Sequence, residues 1–339
     1  MNNILRERID ECLNTLRTTD LKKVHRYLTE TLLAKDSPQD EVTCPWCGSS
    51  LVIKFGMRNG KQRYRCHNND CGKTFTTSTH TVMYHSQLSQ EIWMEFLMDT
   101  LEGRSLDYSA HRLGFSHQTA FNLRHKILTA LEAILELNPT TLTEIAELDE
   151  TYVPDNYKGT PLPDDVGRAP RKRGGKAALR GISEKQICIC TGVQRNGPVM
   201  ARTVNRATPS KDEISQVFSG HIGPETLVLT DGGRSYNVLK SAIEGCSIVN
   251  VKKTDGGAYH LNTVNNFHSF IKRWYSTFRG VATKYLNRYN GFFCVAYRKA
   301  KDIVSMLQAS VEKASTISYW TPVSALKLQQ VLVLAPTTA

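Results

Sequence analysis

The chain has 339 residues, with 43 Lys and Arg against 32 Asp and Glu for a formal charge of +11, and it is 40% hydrophobic and 22% charged. That balance excludes a wholly disordered chain, a collagen-like fibre and a disulfide miniprotein, and at roughly 150 residues per domain it predicts about two or three domains. No apolar run reaches the roughly 20 residues that span a bilayer, and the charged start is unlike a signal peptide. The expected location is therefore cytoplasmic, with no membrane, and the positive excess calls for a polyanionic partner.

Residues 1–40 carry apolar positions at Leu5, Ile9, Leu13 and Leu16, then Leu21, Val24, Leu28 and Leu32. This is helical spacing. It suits either a helical pair for oligomerisation or DNA contact, or a helical lid packed on its own domain. A polar linker from Ser37-Pro38 leads into the next segment, 41–80.

Four of the nine cysteines cluster there. Cys44, Cys47, Cys66 and Cys71 have the spacing C-x2-C-x18-C-x4-C. Two short knuckles of this kind bring four thiolates to one tetrahedral Zn2+, as in a zinc ribbon. Gly48 and Gly72 follow the second cysteine of each pair, where a tight turn needs a residue tolerant of positive φ. Two strands are expected between the pairs, around the turn from Arg58 to Lys61. His67 lies beside Cys66 and is a bystander on this reading. Cys12, Cys188, Cys190, Cys246 and Cys294 sit in apolar or helical contexts, as core residues or exposed thiols.

Residues 86–138 predict an amphipathic helix over 89–102, a shorter helix over 105–113, a turn at Gly114-Phe115-Ser116, and a helix over 118–131. Helix, glycine turn, helix is the helix-turn-helix pattern, whose second helix enters the DNA major groove. Its start offers Ser116, His117, Gln118 and Asn122, with Arg124 and His125 further along, as groups able to bond bases or phosphates. A helical linker without DNA contact is the competing reading.

From 143 to 301 the pattern changes. Strands are expected over 144–153, 185–193 and 199–204, then a helix over 211–219, a strand over 226–230, a helix over 236–243, a strand over 247–251 and a long helix over 263–278. This order, βββαβαβα, fits a mixed sheet with helices on its faces and is also that of the ribonuclease H-like fold. Asp231 lies just past an apolar strand, where open α/β sheets build their sites. Strand alternation puts Glu147 and Asp149 on one face and Glu150 on the other, and leaves open which of Asp149 and Glu150 would join Asp231. In the long helix, Asn265 and Lys272 are two turns apart on one face.

Four ordered motifs carry a resemblance: the cysteine set, Glu147-Leu148-Asp149-Glu150-Thr151-Tyr152, Thr230-Asp231-Gly232, and His260, Asn262, Asn265 and Lys272 with 34 residues from Asp231 to Asn265. Over residues 42–300 the chain resembles the DDE-type transposases of bacterial insertion sequences, in the group with an N-terminal zinc ribbon. The resemblance implies a multidomain α/β protein: zinc ribbon, helix-turn-helix, then a ribonuclease H-like mixed-sheet catalytic domain. It implies catalytic Asp149, Asp231, Asn265 and Lys272, of which Asp149, Asp231 and Asn265 hold Mg2+ or Mn2+. Asn265 stands where an acidic residue is commonest, and its neutral amide stabilises a metal less than a carboxylate would. Two readings follow: a site that works with the Asn oxygen and substrate phosphates, or a degenerate copy.

The implied chemistry is two-metal phosphoryl transfer, cutting at element ends and joining them to target DNA. Its partners are double-stranded DNA, as terminal inverted repeats and target, and other copies of the chain in a homo-oligomer; the bound protein would be nucleoid-associated. Two further readings are a zinc-ribbon DNA-binding regulator or inactive derivative, and a structure-specific nuclease of the same fold. Residues 161–179 read as a basic loop in which Arg171, Lys172, Arg173 and Lys176 track phosphates, and Arg273 is a further DNA contact. Of Trp274, Tyr275, Phe278, Tyr285 and Tyr289, most are expected in the core, with one free to stack on a base. Residues 302–339 form a tail with no assigned role. Positive charge is segregated: residues 54–80 carry +5, 168–180 carry +6 and 256–301 carry +8.

Overall fold

A computed structural model of the chain describes residues 42–58, 61–137, 140–159, 161–162, 181–183, 185–278 and 280–297, together with Val323. The expectations for 1–40, for the basic loop with Arg171, Lys172, Arg173 and Lys176, and for the 302–339 tail lie outside these residues. The chain divides into two compact units, 1–77 and 78–339.

In the first unit, β1 (Val52–Arg58), β2 (Lys61–Cys66) and β3 (Thr74–Thr76) form an antiparallel sheet in the order β1-β2-β3. Only the first two strands were expected. At three residues, β3 is too short to show alternation. The sheet is small, with buried Cys44, Cys66 and Phe75 as its apolar centre. So little apolar area leaves this sheet dependent on its cysteines for cohesion.

The second unit begins with three helices, α1 (Gln90–Leu101), α2 (Leu106–Leu113) and α3 (His117–Leu137). Serine opens each of them: Ser89 accepts from Ile92 N, Ser105 from Tyr108 N and Ser116 from Thr119 N. Gly114 ends α2 with φ +76°. Trp93, Phe96 and Leu97 of α1 pack with Ala110 of α2 and with Leu123, Ile127, Leu128 and Leu131 of α3.

A five-stranded sheet follows, built from β4 (Ile145–Pro154), β5 (Gln186–Gln194), β6 (Val199–Arg206), β7 (Leu227–Thr230) and β8 (Ser247–Asn250) in the order β6-β5-β4-β7-β8. Strands β4, β5 and β6 pair antiparallel, whereas β4, β7 and β8 run parallel. The mixed sheet with helices on its faces is therefore present, in the element order expected. Helix α4 (Lys211–Phe218) links β6 to β7, and a 3-10 turn with the short α5 (Leu239–Ala242) links β7 to β8. Two later helices, α6 (Asn262–Thr277) and α7 (Leu286–Tyr297), follow among the described residues.

Strand alternation divides the core. Leu148, Cys188, Cys190 and Met200 pack with Ile214, Phe218 and Leu239 on the face toward α4 and α5. Val153, Ile189, Val193 and Ala201 pack with Val264, Phe267 and Ile271 of α6 and Phe292 of α7 on the other. The apolar residues of α1 and α3 belong to this second cluster, so the three-helix region and the sheet share one core. The aromatic residues of the late basic segment join it: Tyr275 and Tyr289 are buried, and Trp274 meets Phe292 edge-on at 5.4 Å between ring centroids.

Sheet packing is tight at Gly192, where an added Cβ would lie 2.7 Å from Leu142 Cδ1 and 3.0 Å from Leu148 Cδ2. Gly192→Ala is expected to destabilise the protein by about 1–3 kcal/mol through overpacking. Urea unfolding measures this, and an unchanged midpoint would refute the packing assignment.

Candidate active site and metal centres

Parallel pairing of β4 with β7 builds the centre of the site. Glu147 is the register partner of Leu229, so two residues further along both strands Asp149 stands beside Asp231. The turn after β7 needs Gly232, which has φ +95° and whose Cβ would collide with the Asn250 side chain. Asp231 Oδ1 accepts from Gly233 N at 3.2 Å, an Asx turn that aims the carboxylate. Its Oδ2 accepts from Lys252 Nζ at 2.9 Å, and this bond raises the pKa of the lysine. Lys252, just past β8, was not anticipated from sequence.

Asp149 and Glu150 diverge as alternation requires. Asp149 faces α6, with Oδ2 3.9 Å from His268 Nδ1. Glu150 points to the opposite face of β4. Burial, then the charge of Asp231, pushes the Asp149 carboxyl up to about 6, against the pull of Lys252 and Lys272. Burial with the charges of Asp149 and Asp231 also raises Glu150.

Helix α6 is held over β4 by Glu147, whose side chain has no solvent exposure. Its Oε2 accepts from Thr263 N at 2.9 Å and Val264 N at 3.0 Å, in the first turn of α6. Its Oε1 accepts from Arg195 Nε at 2.8 Å and Thr263 Oγ1 at 3.0 Å. The Arg195 guanidinium also donates to His260 O at 3.1 Å. The carboxylate thus satisfies two backbone donors that a helix start leaves unpaired. Glu147 carried no assigned role in the sequence; the available signal was an acidic residue on the Asp149 face of a buried strand.

With α6 so placed, Asn265, His268 and Lys272 recur on one side of it. Asn265 and Lys272 are exposed. His268 is buried, and its Nε2 lies 2.6 Å from Thr191 Oγ1, which donates to Asp149 O at 2.7 Å. Burial and then the Lys272 charge hold His268 down at about 4, so the ring is neutral near pH 7. Lys272 acts electrostatically on both Asp149 and His268. Arg273 is exposed, with its guanidinium 5.9 Å from the Phe270 ring centroid.

The donor set fits divalent cations. The charge of Asp231 adds to the cost of ionising Asp149, and oxygen donors with an exposed side suit Mg2+ or Mn2+, which keep several waters. The ammonium on Asp231 supplies part of the positive charge the pair attracts. Among the described residues, the cysteines form a second candidate centre, their Sγ atoms all lying within 4.8 Å of one another. Cys44 and Cys71 are 3.7 Å apart, and Cys47 and Cys66 3.6 Å, in Sγ separation. A tetrahedral Zn2+ with bonds of about 2.3 Å sets its sulfurs about 3.8 Å apart, close to the separations in these two pairs. Knuckle turns Gly48 N to Cys44 O and Gly72 N to Asn68 O support it, with φ +73° and +58° at the glycines. His67 is not part of the cluster.

The helical region corrects one expectation. Gln118 is exposed at the start of α3 and donates to Asn122 Oδ1 at 3.0 Å. Arg124, expected to meet DNA, is instead 2% exposed. Its guanidinium donates to Arg104 O at 2.8 Å and lies 4.9 Å from the Phe278 ring centroid. His125 is likewise buried, and burial with the Arg288 and Arg124 charges lowers it to about 3. Both turn inward because α3 at that point faces α7 and the start of the sheet core. Arg124 thus ties the α1–α2 connection to the helical core.

Comparison with known proteins supplies the relatives. Residues 141–300 match the ISXO2-like transposase domain family. A protein of Halobacterium salinarum, described as an uncharacterized protein in transposable element ISH50, is 27% identical over 267 residues, covering 76% of this chain and 86% of that one. Among solved structures, a pre-cleavage Mos1 transpososome aligns at 12% identity and TM-score 0.26, over 65% of this chain and 78% of that one. A Mos1 mariner paired-end complex with Mn aligns at 14% identity and TM-score 0.27, over 67% and 79%. Among the described residues, no helix is long and apolar enough to cross a membrane.

Two measurements check the geometry. Asp149 has its pKa raised in the folded state from 3.8 to about 6, so its ionisation costs stability as pH rises through that interval. Asp149→Asn should therefore melt above wild type at pH 8 without added Mg2+ or Mn2+, by up to about 3 kcal/mol, and match it near pH 3. Equal melting at both pH values would refute the buried, repelled carboxylate. For the cysteines, metal analysis should find one Zn2+ per chain, lost in Cys66→Ser; a full complement in that variant would exclude the site.

Proposed function

From the match of residues 141–300 to the ISXO2-like transposase domain family, we propose that this chain is an insertion-sequence transposase that binds the ends of its own element and catalyses metal-dependent DNA cleavage and strand transfer. The observation that carries this reading is the strand register that sets Asp149, midway along β4, beside Asp231 at the end of the parallel neighbour β7. In it, Asp149, Asp231 and the Asn265 amide oxygen hold Mg2+ or Mn2+. Cations bound there supply activation of the attacking oxygen, first of water and then of a DNA 3′-hydroxyl, and stabilise the leaving oxygen.

The protein's own groups do the rest. Glu147 and Arg195 keep Asn265 in register with Asp149, so the donors are set before substrate arrives. Lys272 contacts a phosphate near the cut as a point charge, and Arg273 lies one residue on, as a second backbone contact. Gln118, at the exposed start of α3, reads bases or phosphates as part of a helix-turn-helix, while Arg171, Lys172, Arg173 and Lys176 track the backbone. The four cysteines hold a structural Zn2+ in a ribbon that joins in end recognition. A homo-oligomer on DNA follows from the need to hold two ends together, in a cytoplasmic, nucleoid-associated assembly.

Purified protein with end-containing duplex DNA and Mn2+ or Mg2+ is expected to nick and join that DNA. Asp149→Ala and Asp231→Ala should each abolish both activities with binding retained. Cleavage without joining would favour a structure-specific nuclease. Binding with neither activity would favour a regulator or inactive derivative, and activity surviving both substitutions would overturn the site.

A further inference from the structure

The neutral Asn265 leaves the proposed metal site one carboxylate short, and His268 lies one turn further along the same side of α6. The hydrogen bonds around Thr191 determine how that imidazole is presented. Thr191 Oγ1 has one proton and two short contacts, 2.7 Å to Asp149 O and 2.6 Å to His268 Nε2. A carbonyl oxygen can only accept, so the hydroxyl proton belongs to Asp149 O and the hydroxyl lone pair receives Nε2–H. In the neutral ring this leaves Nδ1 without a proton, as a lone pair.

That lone pair lies near a second acceptor. Nδ1 is 3.9 Å from Asp149 Oδ2, and no hydrogen bond reaches it among the described residues. Two acceptors facing each other at this separation are repulsive unless a cation lies between them. The separation falls within the span of about 4.2 Å available to two ligands bound at about 2.1 Å to one ion. The ring is largely enclosed, with 9% of its side chain exposed.

We propose that His268 Nδ1 is a ligand of the divalent cation held by Asp149, restoring by nitrogen the ligand number that Asn265 keeps without charge. This rests on the reading of Asp149 as a metal ligand. Thr191 is then a positioning residue that fixes the tautomer, in the manner of groups that bond the far nitrogen of a metal-bound histidine. An imidazole donor favours first-row transition ions over Mg2+, which takes oxygen. The site should accordingly prefer Mn2+ to Mg2+ more strongly than one built from oxygen alone.

Full-length protein titrated with Mn2+, with bound ion read by pulsed electron paramagnetic resonance, tests both layers. Wild type should show nitrogen hyperfine coupling on an ion whose binding is lost in Asp149→Ala. His268→Asn should lose the coupling and bind Mn2+ roughly 10-fold or more weakly, with a smaller change for Mg2+. Thr191→Val should keep the coupling with weakened affinity, separating a folded but mispositioned site from a collapsed one; native circular dichroism and a cooperative melt in every variant exclude simple unfolding. Mn2+ binding that depends on Asp149 but shows no nitrogen coupling, or coupling that persists in His268→Asn, overturns the proposal and leaves the metal site standing. Binding indifferent to Asp149→Ala overturns both.

Discussion

A carboxylate with no access to water organises the larger unit. Burying Glu147 would cost several kcal/mol on its own, and the cost is offset only because four donors converge on it: Arg195 Nε, the Thr263 hydroxyl and the backbone N–H groups of Thr263 and Val264. Two of those donors are the start of α6. The interaction is therefore both an ion pair and a helix cap, reaching from the middle of a sheet to a helix 116 residues away in sequence. It fixes rotation as well as position. A slip of one residue in α6 would turn its side chains by about 100° and carry Asn265, His268 and Lys272 away from Asp149.

How far the sequence revealed this depended on the range of the interactions. Alternation in β4 and β5, the Asp-Gly turn after β7 and the paired cysteines are local patterns, and the mixed sheet, the shared face of Glu147 and Asp149 and the cysteine cluster were legible from them; which face of β4 meets α6 was not. The Glu147 acid was visible on the Asp149 face, but its partner Arg195 lies 48 residues downstream in a turn between strands, and no local rule joins them. Lys252 was hidden for the same reason. Helix α7 carries Leu286, Tyr289, Phe292 and Phe293 at helical spacing, but its aromatic residues suit a base-stacking surface as well as a core, so composition there does not single out a helix.

Arg124 shows the opposite error. An arginine on a helix next to Gln118 and Asn122 reads as a phosphate contact, yet a helix has an inner side, and six residues from Gln118 falls on it. The guanidinium there is enclosed between aromatic rings and a backbone carbonyl, and burial lowers its pKa. Charge type alone did not distinguish a contact surface from an interior tie; the pattern of Ala120, Leu123, Ile127 and Leu131 around it did.

The single core joining α1 and α3 to the sheet has a geometric consequence. Because Leu123 and Ile127 pack in the same apolar mass as Ile189 and Phe267, the exposed start of α3 and the Asp149–Asp231 pair belong to one rigid body. The spacing between them is a length built into the fold, not the reach of a tether. A polymer lying across both points would be measured off by that length, as by a ruler, with an offset that core packing alone can change.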